Sequence, residues 1–433
     1  MKQVDTMVIG LGTTGAAAAR ALARQGIGVL GVDAAPLDRA GARWRNGVPE
    51  ATLRTHDLPV PDAPLAIRST AFHLVAGWGP QRLTVRDHAL LDVDMPWLVA
   101  RLQDDAREAG AELRGGVRVR GLARDGDAHV VELDGETIRA RRVVDCGGLV
   151  APSLAQRPDR SWLCVAAQQD RELADPEGAR RWLEAQGVAD GETVSFAGVA
   201  GGFSIVNLAV HLPDDHGPGE VHVLTGSIPG LGNPAGPVLL ERLVAEHPWI
   251  GERRSGGSRA IPLIPPEPVP GRDGLVRLGD AAGQVYAAHG SGIAAGLDAA
   301  DDLARVWGGG GDAWDFTVSW QREHGGRLAS SAVFARYSAG LSAEDLRVLM
   351  RAGLMQPALV RDGLHQASPN EVDPRVLPGL LLGALRAPAY ALRMAPVVAA
   401  MRKVESLHAR FPDEPSAVPA WSSARDAVFQ RLG

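Results

Sequence analysis

Several features are scarce in this chain of 433 residues, and each scarcity excludes a class of protein. The two cysteines, Cys146 and Cys164, are too few for a disulfide framework and lack metal-ligand spacing, which predicts a reducing compartment. No uninterrupted apolar run reaches the roughly 18 residues that cross a bilayer, so no transmembrane helix is predicted. The formal net charge of −6 leaves no basic surface for nucleic acid.

The remaining composition is ordinary for a globular protein. Hydrophobic residues make up 45% of the chain and charged residues 22%. The length permits two or three domains with substantial cores. The informative features are therefore local, and two glycine-rich stretches far apart in the chain carry most of the prediction.

The first stretch covers residues 4–33, VDTMVIGLGTTGAAAARALARQGIGVLGVD. The apolar run at residues 7–9 predicts a buried parallel strand. A glycine-rich turn follows, then an alanine-rich helix to about Gln25 and a second strand at residues 28–32 that ends on Asp33. This order of strand, glycines, helix, strand and acid is typical of the Rossmann dinucleotide-binding unit.

Each part of that unit has a physical role. Gly10 permits the tight turn, Gly12 lets the backbone approach a pyrophosphate, and Gly15 lets helix and strand pack closely. Free N–H groups at the helix start stabilise the pyrophosphate charge, and the Asp33 carboxylate accepts hydrogen bonds from ribose hydroxyls. The predicted contacts with an adenine dinucleotide are Gly10, Gly12, Thr13, Thr14, Gly15 and Asp33.

The second stretch covers residues 274–307, GLVRLGDAAGQVYAAHGSGIAAGLDAADDLARVW. A short strand at residues 275–278 leads into Gly279 and Asp280, and a helix rich in small residues opens at about residues 290–293. Asp280 can hydrogen-bond a polyol chain, and N–H groups at the helix start can stabilise negative charge. The predicted cofactor contacts here are Gly279, Asp280, Gly290, Gly292 and Ile293.

The rest of the chain is predicted to supply a helix-and-meander insertion, a sheet and a helical end. A helix at residues 94–109 has Asp94 as its N-cap. Residues 151–270 combine several strands with a helix at residues 176–186, which predicts an antiparallel sheet over a cavity. The predicted strands are residues 117–122, 129–133, 138–144, 193–197, 202–210 and 220–225.

The paired motifs resemble one family of FAD-dependent enzymes. GLGTTG with Asp33, and GDAAG followed by HGSGI, are typical of the family shared by geranylgeranyl reductases, aromatic hydroxylases, flavin-dependent halogenases and lycopene cyclases. The resemblance implies FAD as the cofactor and further FAD contacts at Arg43, Arg101 and Gly147. Arg43 lies in a segment that either covers the cofactor or forms a surface loop.

The resemblance implies an α/β fold. Its parts are a Rossmann-type, glutathione-reductase-like FAD-binding domain (residues 1–150 plus 271–312), an antiparallel-sheet substrate domain (151–270) and a C-terminal helical region (313–433). The apolar segment 376–401 in the helical region is broken by prolines and arginines. It is a lid over an apolar cavity, a monotopic membrane patch or a packed helical pair.

The sequence differs from the motifs of these enzymes at three places, and each difference argues against one of the predicted activities or substrates. Gly147-Gly148 stand where aromatic hydroxylases usually have Asp-Gly, which argues against a hydroxylase. The only lysines are Lys2 and Lys403, so the mid-chain catalytic lysine of halogenases is missing. Residues 204–213 replace the aromatic segment that geranylgeranyl reductases use for their substrate, so that substrate determinant is altered.

The loop inside the second motif carries the predicted catalytic residues, Tyr286 and His289. Many relatives have a proline and a threonine in this loop. An imidazole at this place can deliver a proton to a carbanion or remove one. The alternative for His289 is a loop histidine bonded to the backbone.

These features predict a redox flavoenzyme that moves a hydride between FAD and a small apolar substrate, such as an isoprenoid, a polyene or another natural-product intermediate. The alternatives are a non-redox flavin-dependent cyclase or isomerase of lycopene-cyclase type and, less favoured, a flavin monooxygenase. The electron donor, NAD(P)H or a redox protein, is unidentified, because no second nucleotide-binding motif occurs. We expect a cytoplasmic protein without a nucleic-acid partner, and peripheral membrane contact stays open.

Overall fold

The computed structural model describes residues 1–154, 159–213, 217–368, 371 and 373–431. The strands are β1 (Lys2–Ile9), β2 (Val29–Val32), β3 (Arg45–Pro49), β4 (Ala66–Arg68), β5 (Ala71–Ala76), β6 (Arg82–Arg86), β7 (Leu90–Asp94), β8 (Glu112–Arg114), β9 (Val119–Asp125), β10 (Ala128–Leu133), β11 (Glu136–Asp145), β12 (Leu163–Leu173), β13 (Thr193–Ala197), β14 (Ser204–His211), β15 (Glu220–Ser227), β16 (Ile250–Pro262), β17 (Gly271–Arg272) and β18 (Leu275–Arg277). The helices are α1 (Thr13–Arg24), α2 (Glu50–Thr55), α3 (Met95–Glu108), α4 (Pro176–Gln186), α5 (Gly236–Glu246), α6 (Ile293–Gly308), α7 (Ala313–Trp320), α8 (Gly326–Ala339), α9 (Ala343–Ala352), α10 (Pro357–Leu364), α11 (Leu377–Arg386), α12 (Pro388–His408) and α13 (Val418–Gln430).

A mixed sheet holds both glycine motifs. Its strand order is β17-β18-β11-β1-β2-β8, and β10 and β9 extend antiparallel from β11. β1 pairs in parallel with β2 and β11, and β11 pairs in parallel with β18. The carboxyl ends of β1 and β18 therefore lie at the same edge of the sheet. The predicted Rossmann-type α/β fold is confirmed.

α1 crosses from β1 to β2 and is buried on nearly all sides. The run from Ala16 to Ala19 favours a helix, because alanine has the highest intrinsic helix propensity. Small side chains also let α1 fit between the sheet, α3 and α6. α3 begins as predicted, with Asp94 accepting a hydrogen bond from the backbone N–H of Trp97 at 2.8 Å.

A second sheet, here called the roof sheet, has the order β16-β12-β15-β14-β13-β5-β6 and is antiparallel except for the pair β5–β13. It takes β5 and β6 from residues 71–86, which the predicted division places in the FAD-binding part. Sequence reasoning also missed β12 and β16. β12 reads LCVAAQQDREL and has polar residues on both faces, so its apolar alternation is weak. The predicted domain bounds themselves stay a prediction.

Helices α7 to α13 form the predicted helical C-terminal region. α8 and α12 pack together, and Ala332 and Met401 from these helices share an apolar core with Val285 and Ala287 of the second motif. The helical region is thereby attached directly to the loop that carries the predicted catalytic residues.

The apolar segment 376–401 forms α11 and most of α12, with Leu381 exposed by 70% and Leu385 by 81%. Other apolar residues of the segment line the cavity described below, so the segment has one face toward the cavity and one toward solvent. Within the described residues, no helix is both long and apolar enough to cross a membrane.

Candidate active site

The first glycine turn joins β1 to α1 and has no room for a side chain at Gly10 or Gly15. Gly10 has a φ of +85°, in the left-handed region. A Cβ at Gly10 would lie 2.7 Å from the carbonyl oxygen of Cys146, and one at Gly15 would lie 1.7 Å from the carbonyl oxygen of Gly10. Thr13 and Thr14 open α1 and line the main cavity. First-turn N–H groups have no intrahelical partner, so this end of α1 suits a pyrophosphate.

Asp33 follows β2 beside this turn. Its Oδ2 accepts a hydrogen bond from the N–H of Leu11 at 2.7 Å, and its Oδ1 accepts one from the N–H of Ala35 at 2.8 Å. A carboxylate oxygen can accept more than one hydrogen bond. Asp33 is therefore fixed in position and keeps capacity for ribose hydroxyls.

The two glycine motifs meet at Thr14. Gly279 has a φ of +66°, and its Cβ would lie 3.0 Å from Thr14 Oγ1. A Cβ at Gly296 in α6 would lie 2.2 Å from the same oxygen. Because both positions are glycine, α1 and α6 approach each other closely, and both motifs contribute to one cavity.

Asp280 stands at the N-terminus of α6. Gly292 is the N-cap of α6, and its Cβ would lie 3.7 Å from Asp280 Oδ1. Burial raises the pKa of the Asp280 carboxyl, and Arg259 partly opposes that shift. Asp280, Gly290, Gly292 and Ile293 all line the cavity. A carboxylate and helix-start N–H groups therefore share one wall.

A covering segment passes over the first turn. Gly12 lies against Gly41, since a Cβ on Gly12 would be 3.1 Å from the Cα of Gly41. Trp44, Asn46 and Gly47 then line the cavity as the chain enters β3. This placement favours the cofactor-covering interpretation of the segment over a surface loop.

Five predicted cofactor contacts lie outside the cavity lining: Gly10 in the first turn, Asp33 beside it, and Arg43, Arg101 and Gly147. Arg43 is exposed, and its guanidinium contacts a backbone carbonyl of its own loop at 3.4 Å. Arg101 pairs with Asp105 one turn further along α3, at 2.6 Å. Gly147 also lies outside, and its neighbour Gly148 lines the cavity instead. The structure does not bring these arginines together with the glycine motifs.

Tyr286 and His289 lie side by side at the cavity, with ring centroids 5.0 Å apart. The Tyr286 hydroxyl donates to the carbonyl oxygen of Ala367 at 3.1 Å, and burial raises its pKa to about 12. Burial lowers the pKa of His289 to about 4, against the opposing effect of hydrogen bonds to the backbone of His289 itself and Gly363, so its imidazole is neutral at neutral pH. Within the described residues, His289 Nε2 is buried and has no hydrogen-bond partner.

One cavity of about 880 Å³ connects these groups. The glycine motifs form one end, and the inner face of the roof sheet forms a wall. Apolar side chains from the helical region close the far side, among them Phe334, Leu349, Leu380, Met394, Val397 and Met401. The cavity therefore extends from a nucleotide-type cradle into an apolar chamber.

Sequence reasoning missed the polar residues of the roof sheet that line this cavity: Ser195, Asn207, His211, His222 and Gln168. They alternate with core residues along their strands, as Asn207 does with Val206 and Leu208. That alternation is the signal that could have found them. It was missed for Gln168 because β12 itself was not recognised.

The chain was compared with known proteins. No family model matches it. A digeranylgeranylglycerophospholipid reductase of Sulfolobus acidocaldarius is 21% identical over 461 residues, which cover 98% of this chain and 97% of the relative. A geranylgeranyl bacteriochlorophyll reductase-like structure from Thermoplasma acidophilum has a TM-score of 0.72 at 16% identity, covering 92% of this chain and 100% of that one. The halogenase PltM, solved with phloroglucinol and FAD, has a TM-score of 0.62 at 14% identity, covering 99% and 96%.

These similarities show the fold of the FAD-dependent oxidoreductase superfamily, which confirms the predicted resemblance. The cradle in this chain fits the predicted cofactor, FAD. A pyrophosphate can approach the backbone closely at Gly12 and Gly279, which have no side chain, and the N–H groups at the starts of α1 and α6 suit its charge. Asp280 suits a polyol chain. The predicted site residues stay predictions in their individual roles.

Proposed function

We propose that this protein is an FAD-dependent oxidoreductase that transfers a hydride between the flavin and a carbon of an apolar substrate. The observation that carries the proposal is the single cavity that joins the two glycine motifs to an apolar chamber. Bound FAD supplies the hydride chemistry. The chain's own residues bind the cofactor, orient the substrate and exclude water.

The named residues divide these tasks. Thr13, Thr14 and Asp280 hold the cofactor, and the α6 start at Gly292 and Ile293 stabilises negative charge at its ring. The apolar wall from α8 to α12 keeps water from the reacting carbon.

The loop residues have distinct roles. Tyr286 fixes the loop by donating to Ala367, since its hydroxyl is already engaged and its pKa of about 12 keeps it protonated. His289 is neutral, so its free Nε2 accepts a proton or a hydrogen bond more readily than it supplies a proton at neutral pH. His289 therefore has no imidazolium proton to deliver at neutral pH, and the same low pKa makes it a weak base.

An anaerobic experiment tests the proposal. The purified protein is reduced, a candidate isoprenoid or polyene substrate is added, and the visible absorption of oxidised flavin is followed. Reoxidation in proportion to product supports hydride transfer. Turnover with the flavin still reduced would contradict it and favour a non-redox cyclase or isomerase, and strictly oxygen-dependent product would favour a monooxygenase. Protein that takes up no FAD would contradict all three.

A further inference from the structure

The inner face of the roof sheet changes from apolar to polar along its strands. Toward one end the cavity wall is made by Cys164, Ile205 and Ile261. Toward the other end, Gln168 and Asn207 both lie opposite Leu224 in the strand register, so they flank it in one cross-strand row. The roof-sheet wall thus has an apolar part around Cys164 and a separate polar part around Gln168 and Asn207.

The carboxamide of Gln168 lacks a protein partner. Gln168 is only 7% exposed and lines the cavity, yet its side chain makes no hydrogen bond within the described residues. Asn207 also lines the cavity, and its Oδ1 is buried without a partner among those residues. A buried polar group left unpaired loses the hydrogen bonds it makes with water, which destabilises the folded protein. Asn207 is such a group, and the Gln168 carboxamide beside it is accessible from the cavity without a hydrogen bond among the described residues, so the two indicate a ligand that hydrogen-bonds to them.

The charges around this row are mostly negative. His222, in the next row, lies 3.1 Å from Asp92, 3.0 Å from Glu220 and 4.0 Å from Asp170. Burial disfavours the charged imidazole, but hydrogen bonds to Asp92 and Glu220 outweigh burial and raise its pKa to about 9. Hydrogen bonding to His222 lowers the pKa of Glu220 to about 2.

Arg45 is the second cation of this group. It is 9% exposed, and its charge acts on Glu220. Three carboxylates therefore face these two cations. Arg259 lines the same face of the sheet opposite Ala166, but its charge acts on the buried Asp280, so carboxylates still outnumber cations around the carboxamides. An anionic group brought into this part of the cavity would meet repulsion that a neutral or cationic group avoids.

Resting on the proposed function, we infer that the substrate is amphipathic: its apolar part fills the helical chamber, and its polar end is a hydroxyl or amine bound at Gln168 and Asn207. The same site discriminates against phosphate and carboxylate ends. A hydroxyl or ammonium donates to the carboxamide oxygens and brings no negative charge.

Chain-matched probes test this directly. Geraniol, geranylamine and geranyl phosphate are titrated into the FAD-loaded protein by calorimetry, after FAD occupancy is measured from its absorption. We expect geraniol and geranylamine to bind and geranyl phosphate to bind at least about tenfold more weakly. Equal or tighter binding of geranyl phosphate would overturn the inference while leaving the FAD assignment intact. Absence of FAD would instead count against the proposed function.

Two variants of Gln168 test whether the polar end of the ligand binds at this residue. Gln168→Leu should weaken geraniol binding by about threefold to tenfold, because one neutral hydrogen-bonding group is lost. Gln168→Glu adds negative charge and should strengthen geranylamine binding while weakening geranyl phosphate further. Asp127→Asn, at a side chain that is 98% exposed, is the matched control and should change nothing. Unaltered affinities in both Gln168 variants, with native circular dichroism, would refute the assignment.

Discussion

The Gly15→Ala substitution tests the cofactor cradle most sharply. The new Cβ would lie 1.7 Å from the Gly10 carbonyl oxygen, whereas real Cβ atoms essentially never come closer than 3.0 Å to such an atom. The start of α1 must therefore move away from the turn by at least about 1.3 Å. If that movement removes two hydrogen bonds to the pyrophosphate, each about 1.5–3 kcal/mol, FAD affinity falls at least about 100-fold.

Flavin fluorescence quenching in titrations of the apoprotein measures this change. Gly28→Ala is the matched control in the same unit, because its Cβ would lie in ordinary contact, 3.9 Å from the Cβ of Asp5. Circular dichroism establishes that both variants are folded. If the FAD affinity of Gly15→Ala is within about threefold of that of the control, the reasoning is refuted, because a movement of about 1.3 Å must displace the N–H groups at the start of α1.

Three further predictions address pH, catalysis and surface contact. Hydrogen bonds from His56 to Asp298 and Asp301 outweigh burial and raise its pKa to about 9. The protonated His56 therefore adds about 3 kcal/mol to the free energy of unfolding at pH values below its unfolded pKa, and this contribution is lost as pH rises through about 9. The difference in unfolding free energy between the wild type and His56→Gln, measured by urea titration, should disappear by about pH 10. A difference that does not change with pH would contradict this. His289→Ala should retain FAD but slow anaerobic turnover, and unchanged turnover would exclude a role in proton transfer. If α11 contacts a membrane surface, the double substitution Leu381→Ser and Leu385→Ser should weaken co-sedimentation with vesicles by about tenfold or more. Failure of the wild-type protein to co-sediment would contradict membrane contact.

The local units were predictable because they depend on neighbours in the chain. The turn at Gly10, the helix after it and the N-cap at Asp94 follow from glycine, alanine and aspartate placed at short spacings. α4 and β13 have the predicted bounds for the same reason. The chamber wall was not predictable in this way, since β12 and β16 pair with strands far away in the chain.

The charge states also required the fold. From sequence alone His289 could deliver a proton or remove one. Burial lowers its pKa to about 4 and leaves it neutral, whereas His222, a residue that sequence reasoning passed over, is held protonated by acids from β7 and β15. A side chain's pKa depends on solvent exclusion and on charges brought close by folding, which residue type and spacing do not encode.

The sequence by itself determined the type of fold and the glycine cradle, because steric demands of a tight turn and close helix packing are local and allow only glycine. Only the tertiary structure decided that Thr14 joins the two motifs, that Arg43 and Arg101 lie away from the cavity, and that the cradle opens into a chamber with an apolar and a polar end. Those properties arise from strands and helices that meet across long sequence separations, where no short-range pattern records which side chains will face one another.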